Sequence, residues 1–291
     1  MSLTAAESVH RHHSPLCPNA LADILEGLSD GSVVPCLGPG ALTGVVDSKD
    51  QSPIPADSNS LILSMTGGQP MSPKLMFEFS RAAMHVENKK GRNYIERFLT
   101  RIYAERTWTQ SPLHHWLAAQ RLPYIIDCNR DTQLQTLYAD RPYTLIVGTA
   151  RLGGTHYRFH LYQWEGNRYR VISQEQLDTS LPILFKPLGS PWPKPTYVAS
   201  DADFVDYFTE LMGGFAIPEA VKRLRLDKRY VMLGMNFTRD TERMLVSDLI
   251  YGAAAAEAGW ALIEGATAKE QQFCARQRLS WVDADWQRLM G

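Results

Sequence analysis

The chain has 291 residues, of which 44% are hydrophobic and 21% charged, an ordinary globular composition with enough apolar material for a sizeable core. A count of 30 Lys and Arg against 31 Asp and Glu leaves a formal net charge of −1, so the overall field attracts neither phosphate backbones nor anionic membranes, and nucleic acid is excluded as a main partner. No apolar run is long enough to span a bilayer and the opening residues lack the apolar stretch of a secretory signal, which excludes a membrane partner and makes a cytoplasmic location the expectation.

Residues 1–18 contain His10, His12 and His13 with Pro15 and Pro18 and no apolar periodicity, so a mobile arm is expected. Three histidines without a carboxylate or cysteine at fixed spacing read as plain surface rather than as a metal site. From Asn19, a candidate N-cap, the positions Leu21, Ile24, Leu25 and Leu28 follow helical spacing. Residues 32–37 read as a buried strand ending at Gly38-Pro39-Gly40. The stretch 43–73 is rich in Ser, Gly, Pro and Asp and reads as a long loop with one short apolar patch at 61–65. Helical periodicity returns over about 74–120, through Leu75, Phe79 and Ala82 and then Tyr94, Ile95, Phe98, Leu99 and Ile102, as a helical insertion in a domain covering 19–291.

Short strands are expected at 124–128 and 143–148, and a β-hairpin from 157–164 and 168–173 around Glu165-Gly166-Asn167. Ser200 and Asp203 are spaced as a capping box ahead of Phe204, Val205, Phe208, Leu211 and Met212. The pattern then predicts a helix at 218–226, a strand at 229–234, a long alanine-rich helix at 238–258, a strand at 260–264, a helix at 268–277 and a strand at 279–282. Strands alternating with helices of this length give an α/β fold, a doubly wound, Rossmann-like parallel sheet covered on both faces. The four cysteines, Cys17, Cys36, Cys128 and Cys274, include no CxxC pair, which fits free thiols better than disulfides or a zinc ribbon.

Ligands of such a sheet bind beyond the carboxyl ends of the strands, which directs attention to four loops. The first is Gly38-Pro39-Gly40-Ala41, where glycine lets backbone approach a pyrophosphate and free N–H groups cradle it, although Pro39 removes one donor. The second is Asn129-Arg130-Asp131, an amide and a carboxylate able to hold ribose hydroxyls or a carboxamide. The third runs 184–190 with Lys186, Leu188 and Gly189, and the fourth is Gly234-Met235-Asn236-Phe237.

The order of these loops resembles the divergent, single-domain branch of the sirtuin family over roughly 19–291. The family's Gly-Ala-Gly turn corresponds to Gly38-Pro39-Gly40, its Gly-Ile-Pro-Asp stretch is similar to Pro53-Ile54-Pro55-Ala56-Asp57, and its Asn-x-Asp to Asn129-Arg130-Asp131. Gly234-Met235-Asn236-Phe237 stands at the late loop, with Arg243, Met244 and Leu245 matching the helix after it. The resemblance implies a sirtuin-type fold holding NAD, or a related ADP-ribose nucleotide, against Gly38, Pro39, Gly40, Ala41, Asn129, Asp131, Gly234, Asn236 and Phe237. The family's catalytic histidine falls on Leu188, which cannot accept a proton, and no four-cysteine zinc module is present. A positioned acid or base supplies about 10²–10⁴-fold in rate, so ordinary protein deacylation would be crippled. His114 or His115 occupies the place of a helix histidine of the family and reads as structural, while His156 and His160 are candidate substitutes for the missing base.

The preferred reading is a binding or regulatory protein, a pseudoenzyme that keeps the nucleotide without turning it over. The alternative is a NAD hydrolase cleaving the nicotinamide glycosidic bond, with Asn129 and Asp131 as catalytic residues and Asn129 orienting water. A third reading closes the pocket and leaves an interaction module. A protein partner or a homo-oligomer stays open beside the small molecule.

Overall fold

The computed structural model describes residues 19–152, 156–254 and 256–291; the arm expected over 1–18, with its histidines and Cys17, lies outside the described residues. The first helix, α1 (Ala20–Asp30), buries Ile24 and Leu28 and leaves Leu25 exposed; Asn19 occupies its N-cap position without a side-chain cap bond. The strand β1 (Val33–Leu37) is buried throughout, as a central parallel strand must be, and passes into a 3₁₀ turn, Pro39–Leu42. The region expected to be a loop contains a helix, α2 (Ser58–Met65). Its apolar patch is helical because Asp57 caps it, accepting the N–H of Asn59 at 2.8 Å and of Ser60 at 3.1 Å. Then follow α3 (Pro73–Met76), α4 (Phe79–Lys90), α5 (Arg92–Tyr103) and α6 (Pro112–Ala119).

The chain continues through β2 (Tyr124–Asp127), α7 (Gln133–Leu137), β3 (Tyr143–Gly148), the hairpin β4 (Phe159–Trp164) and β5 (Tyr169–Val171), β6 (Ile183–Lys186), and a short ribbon of β7 (Gly189–Ser190) and β8 (Thr196–Tyr197). Next come α8 (Asp201–Met212), α9 (Glu219–Leu224), β9 (Arg229–Leu233), α10 (Asp240–Leu249), β10 (Gly259–Leu262), α11 (Ala268–Arg276) and β11 (Leu279–Val282). The Ser200–Asp203 capping box at the head of α8 forms, with Asp203 Oδ2 accepting the Ser200 N–H at 3.1 Å. The long helix expected at 238–258 stops at Leu249 instead. Beyond it the backbone bonds to the turn before β9, through Ala254 N–H to Lys228 O (3.1 Å) and Asp227 N–H to Gly252 O (3.2 Å). These long-range bonds and the burial of Ala253 and Ala258 outweigh the local helix preference of alanine.

Among the described residues, nine strands form one sheet in the order β11-β10-β9-β1-β2-β6-β3-β4-β5. Pairing is parallel from β11 to β3 and antiparallel from β3 through β4 to β5, so the fold is α/β with a large, mostly parallel sheet, Rossmann-like in its layers. Alternation along the strands sends side chains to two cores. Val34, Cys36, Tyr124, Ile126, Tyr230 and Met232 join the core on one face, and Val33, Leu37, Ile125, Val231 and Leu233 join that on the other. A third core gathers α2, α4 and α5 around Leu61, Ile62, Phe79, Phe98 and Leu99, whereas Leu113 and Leu117 of α6 pack on the sheet. From β1 the chain runs outward to β2 on one side and later to β9 on the other, so β1 and β9 flank the switch point where such sheets open a crevice. Among the described residues no helix is long and apolar enough to cross a membrane.

Candidate functional site

The turn after β1 and the loop after β9 are clamped together. Gly38 N–H bonds to Leu233 O (2.9 Å), Gly40 N–H to Gly234 O (2.8 Å), and Ala41 N–H to Gly38 O (3.0 Å). The carbonyls are held by side chains: Asn129 Nδ2 donates to Gly38 O (2.8 Å), Trp286 Nε1 to Gly40 O (3.2 Å) and Ser111 Oγ to Ala41 O (2.7 Å). A side chain at Gly40 would meet Gly234 Cα at 2.8 Å, so glycine here serves the approach of two loops. The N–H groups of residues 38, 40 and 41 are thereby spent within the protein, and an anion in front of the turn must find another donor.

Behind this clamp lies a buried charged cluster at the ends of β2 and β6. Asp127 Oδ2 is 2.5 Å from Lys186 Nζ, Asp131 Oδ2 is 3.9 Å from the same nitrogen, and His114 Nε2 is 3.8 Å from Asp127 Oδ2. Burial alone would raise the Asp127 carboxyl, but the Lys186 ammonium and His114 together outweigh it and hold the group below the usual carboxylate range. Asp127 Oδ1 accepts both the backbone N–H and Nδ2 of Asn129 at 3.0 Å, and Asp131 Oδ1 accepts the Gln133 N–H at 2.7 Å. His114, Asp127 and Asp131 present ligand atoms within 4.8 Å of one another, but the ammonium of Lys186 already supplies the cation there.

In front of the clamp is a partly open hollow. Each of the four loops contributes to its wall: Pro39 from the first, Cys128 and Arg130 from the second, Leu188 from the third and Met235 from the fourth. The opposite wall comes from the helical region, with Ala56, Ser58, Leu61, Phe79 and Ser80, and from Phe204, Thr241, Glu242 and Leu245 of α8 and α10. An apolar hollow with a few polar groups at the carboxyl end of a parallel sheet has the form of a small-molecule site.

The ionisable groups in the wall are unusual. Cys128 is in contact with Cys36, and that contact and burial push its thiol well above the ordinary range, so it stays protonated and is no nucleophile. Burial pushes the Glu242 carboxyl up to about 7, with Arg239 and Arg243 pulling it down and Glu78 and Asp57 pushing it up; its Oε2 has no partner. A raised carboxyl stabilises the fold below its unfolded value near 4.5, and that stability is lost as pH rises through about 7. Glu242→Gln is therefore expected to melt close to wild type at pH 4.5 and to gain on the order of 1–3 kcal/mol over it by pH 8, measured as the difference between two melting series. A difference that stays flat with pH would show that Glu242 ionises normally.

Of the residues selected from sequence, Pro39 lines the cavity, while Gly38, Gly40, Ala41 and Gly234 form the clamp beside it. Asn129 and Asp131 are 4% and 2% exposed and lie behind the wall. Phe237 is buried against Phe273, with ring centroids 4.6 Å apart, and Asn236 is exposed. His156 and His160 are not in the cavity wall. Arg130 and Glu242 were not singled out. Arg130 had a signal: if Asn129 and Asp131 share one side of an extended segment, Cys128 and Arg130 share the other. No protein-family model matches the chain, and no curated protein matches it.

Proposed function

We propose that the cavity binds a NAD-type nucleotide and does not turn it over, in a domain of sirtuin type whose proton acceptor has been replaced by Leu188. The observation that carries this reading is the meeting of Pro39, Cys128, Leu188 and Met235, one from each strand-end loop, around a single hollow at the switch point. An aliphatic side chain in that wall supplies no base. Binding is preferred to glycosidic cleavage because the Asn129 amide is engaged by Gly38 O and Asp127, which leaves it no donor with which to orient a water. Cys128, kept as a thiol, adds no nucleophile.

Melting curves with NAD, NADH and ADP-ribose test the reading together with chromatography for free nicotinamide. A saturable rise is expected, worth about 2.7 kcal/mol at a hundredfold excess over Kd, with no nicotinamide released. Leu188→Trp, which fills the hollow, is expected to abolish the rise. Steady nicotinamide release that Asn129→Ala removes would establish hydrolysis instead, and no shift with any of the three nucleotides would overturn the nucleotide reading.

A further inference from the structure

We propose that Arg130 is the anion receptor of this cavity, taking a phosphate or carboxylate group of the ligand on its guanidinium. The side chain lines the hollow and is 6% exposed. Its Nη2 donates to Val198 O at 2.6 Å, its guanidinium carbon lies 5.7 Å from the Phe79 ring centroid, and Nε has no partner. No carboxylate lies within ion-pair distance of it among the described residues, although the acids nearby are plentiful. Asp203 is taken by Arg92 and by Arg151, Asp131 is turned to Lys186, and Glu242 in the same wall leaves Oε2 unpartnered rather than pairing with it.

A buried cation normally has a counter-charge, because removing it from water is costly without one. Elsewhere in this molecule Lys186 pairs with Asp127 at 2.5 Å and the buried Arg158 with Asp206 at 2.7 Å, while the buried Arg225, which does not line this cavity, is held by the carbonyls of Asp248 and Leu249. A guanidinium left without a carboxylate at the wall of an open cavity is the arrangement of a site that takes its anion from the ligand, where its planar donors match carboxylate and phosphate oxygens. The turn N–H groups cannot serve in its place, since those of Gly38, Gly40 and Ala41 are already bonded. Phosphate as the source rests on the nucleotide reading; a carboxylate does not.

Calorimetric titration of the full chain with pyrophosphate, ADP-ribose, adenosine and succinate tests the proposal, using wild type, Arg130→Met, Arg130→Gln and Arg130→Lys. Pyrophosphate and ADP-ribose are expected to bind wild type, to weaken about 10- to 100-fold in the methionine and glutamine variants, and to recover in part with lysine. The ligand-free methionine variant is expected to melt no lower than wild type, because an unpaired buried charge has gone. Succinate binding in place of pyrophosphate would identify a carboxylate ligand and keep the assignment. Pyrophosphate binding without ADP-ribose binding would end the nucleotide reading and leave Arg130 as the receptor. Equal ADP-ribose affinity in wild type and both neutral variants, no anion bound by wild type, or a lower melting temperature that lysine does not restore would each overturn it.

Discussion

Lys186→Met is expected to cost about 3–5 kcal/mol of stability, read as a lower midpoint in denaturant at unchanged slope. Lys186 and Asp127 are each 1% exposed, so deleting the ammonium strands a carboxylate in the interior, with Asp131 nearby to repel it. The dependence on pH identifies the cause. In wild type the Asp127 carboxyl is lowered, so its contribution is present at neutral pH and is lost as pH falls through the folded value. In the variant burial is opposed only by His114 and the Asn129 donors, and the sign is expected to reverse: the carboxyl is raised, and stability is lost as pH rises. The gap between the two proteins is therefore widest near neutrality and narrows towards pH 4. Adding Asp127→Asn, which keeps an acceptor for Asn129 but removes the charge, is expected to recover most of the loss. A double variant no more stable than Lys186→Met would show that lost packing of the lysine chain, not the stranded carboxylate, was responsible.

Gly234→Ala is expected to be about as damaging, at roughly 2–5 kcal/mol, and to remove ligand binding as well. Gly234 has φ +69°, and a Cβ there would stand 2.3 Å from Ala41 N and 2.5 Å from Gly40 C. Backbone cannot give way as a side chain can, so the loops after β1 and β9 must part, carrying Pro39 and Met235 with them out of the cavity wall. Gly265→Ala separates the two contributions, since Gly265 has φ +64° with nothing within 4 Å of its added Cβ. That control is expected to lose only about 1–2 kcal/mol, the cost of left-handed backbone for an L-residue. Equal losses at the two positions would mean that the loops are not wedged apart.

The sheet was legible because its central strands are short apolar runs buried on both faces and stopped by glycine or by Asn and Asp, as at 33–38 and 124–129. What escaped depended on partners distant in sequence. The patch at 61–65 is helical by virtue of the Asp57 cap, hidden among Ser, Pro and Gly, and the alanines after Leu249 follow bonds to Lys228 and Asp227. The site was legible at the level of loops: all four reach one hollow. Within the loop at 128–131, period-two geometry says which residues share a side but not which side faces the hollow, and it is Cys128 and Arg130 that do. Glu242 was invisible because an acid in the first turn of a helix reads as a partner for the helix dipole. Its burial and its neighbours Glu78 and Asp57 come from segments far apart in the chain.

The hairpin that carries the sheet to its far flank also brings its growth to a halt. The outermost strand has three residues, and the arginines around it are occupied locally, Arg168 and Arg170 on Glu165 at 3.0 and 2.7 Å and Arg170 on Gln163 at 2.6 Å. So brief and so heavily charged a border presents little main chain for a strand of another molecule to read, and this flank is guarded against the ribbon-to-ribbon association to which bare sheet margins are prone.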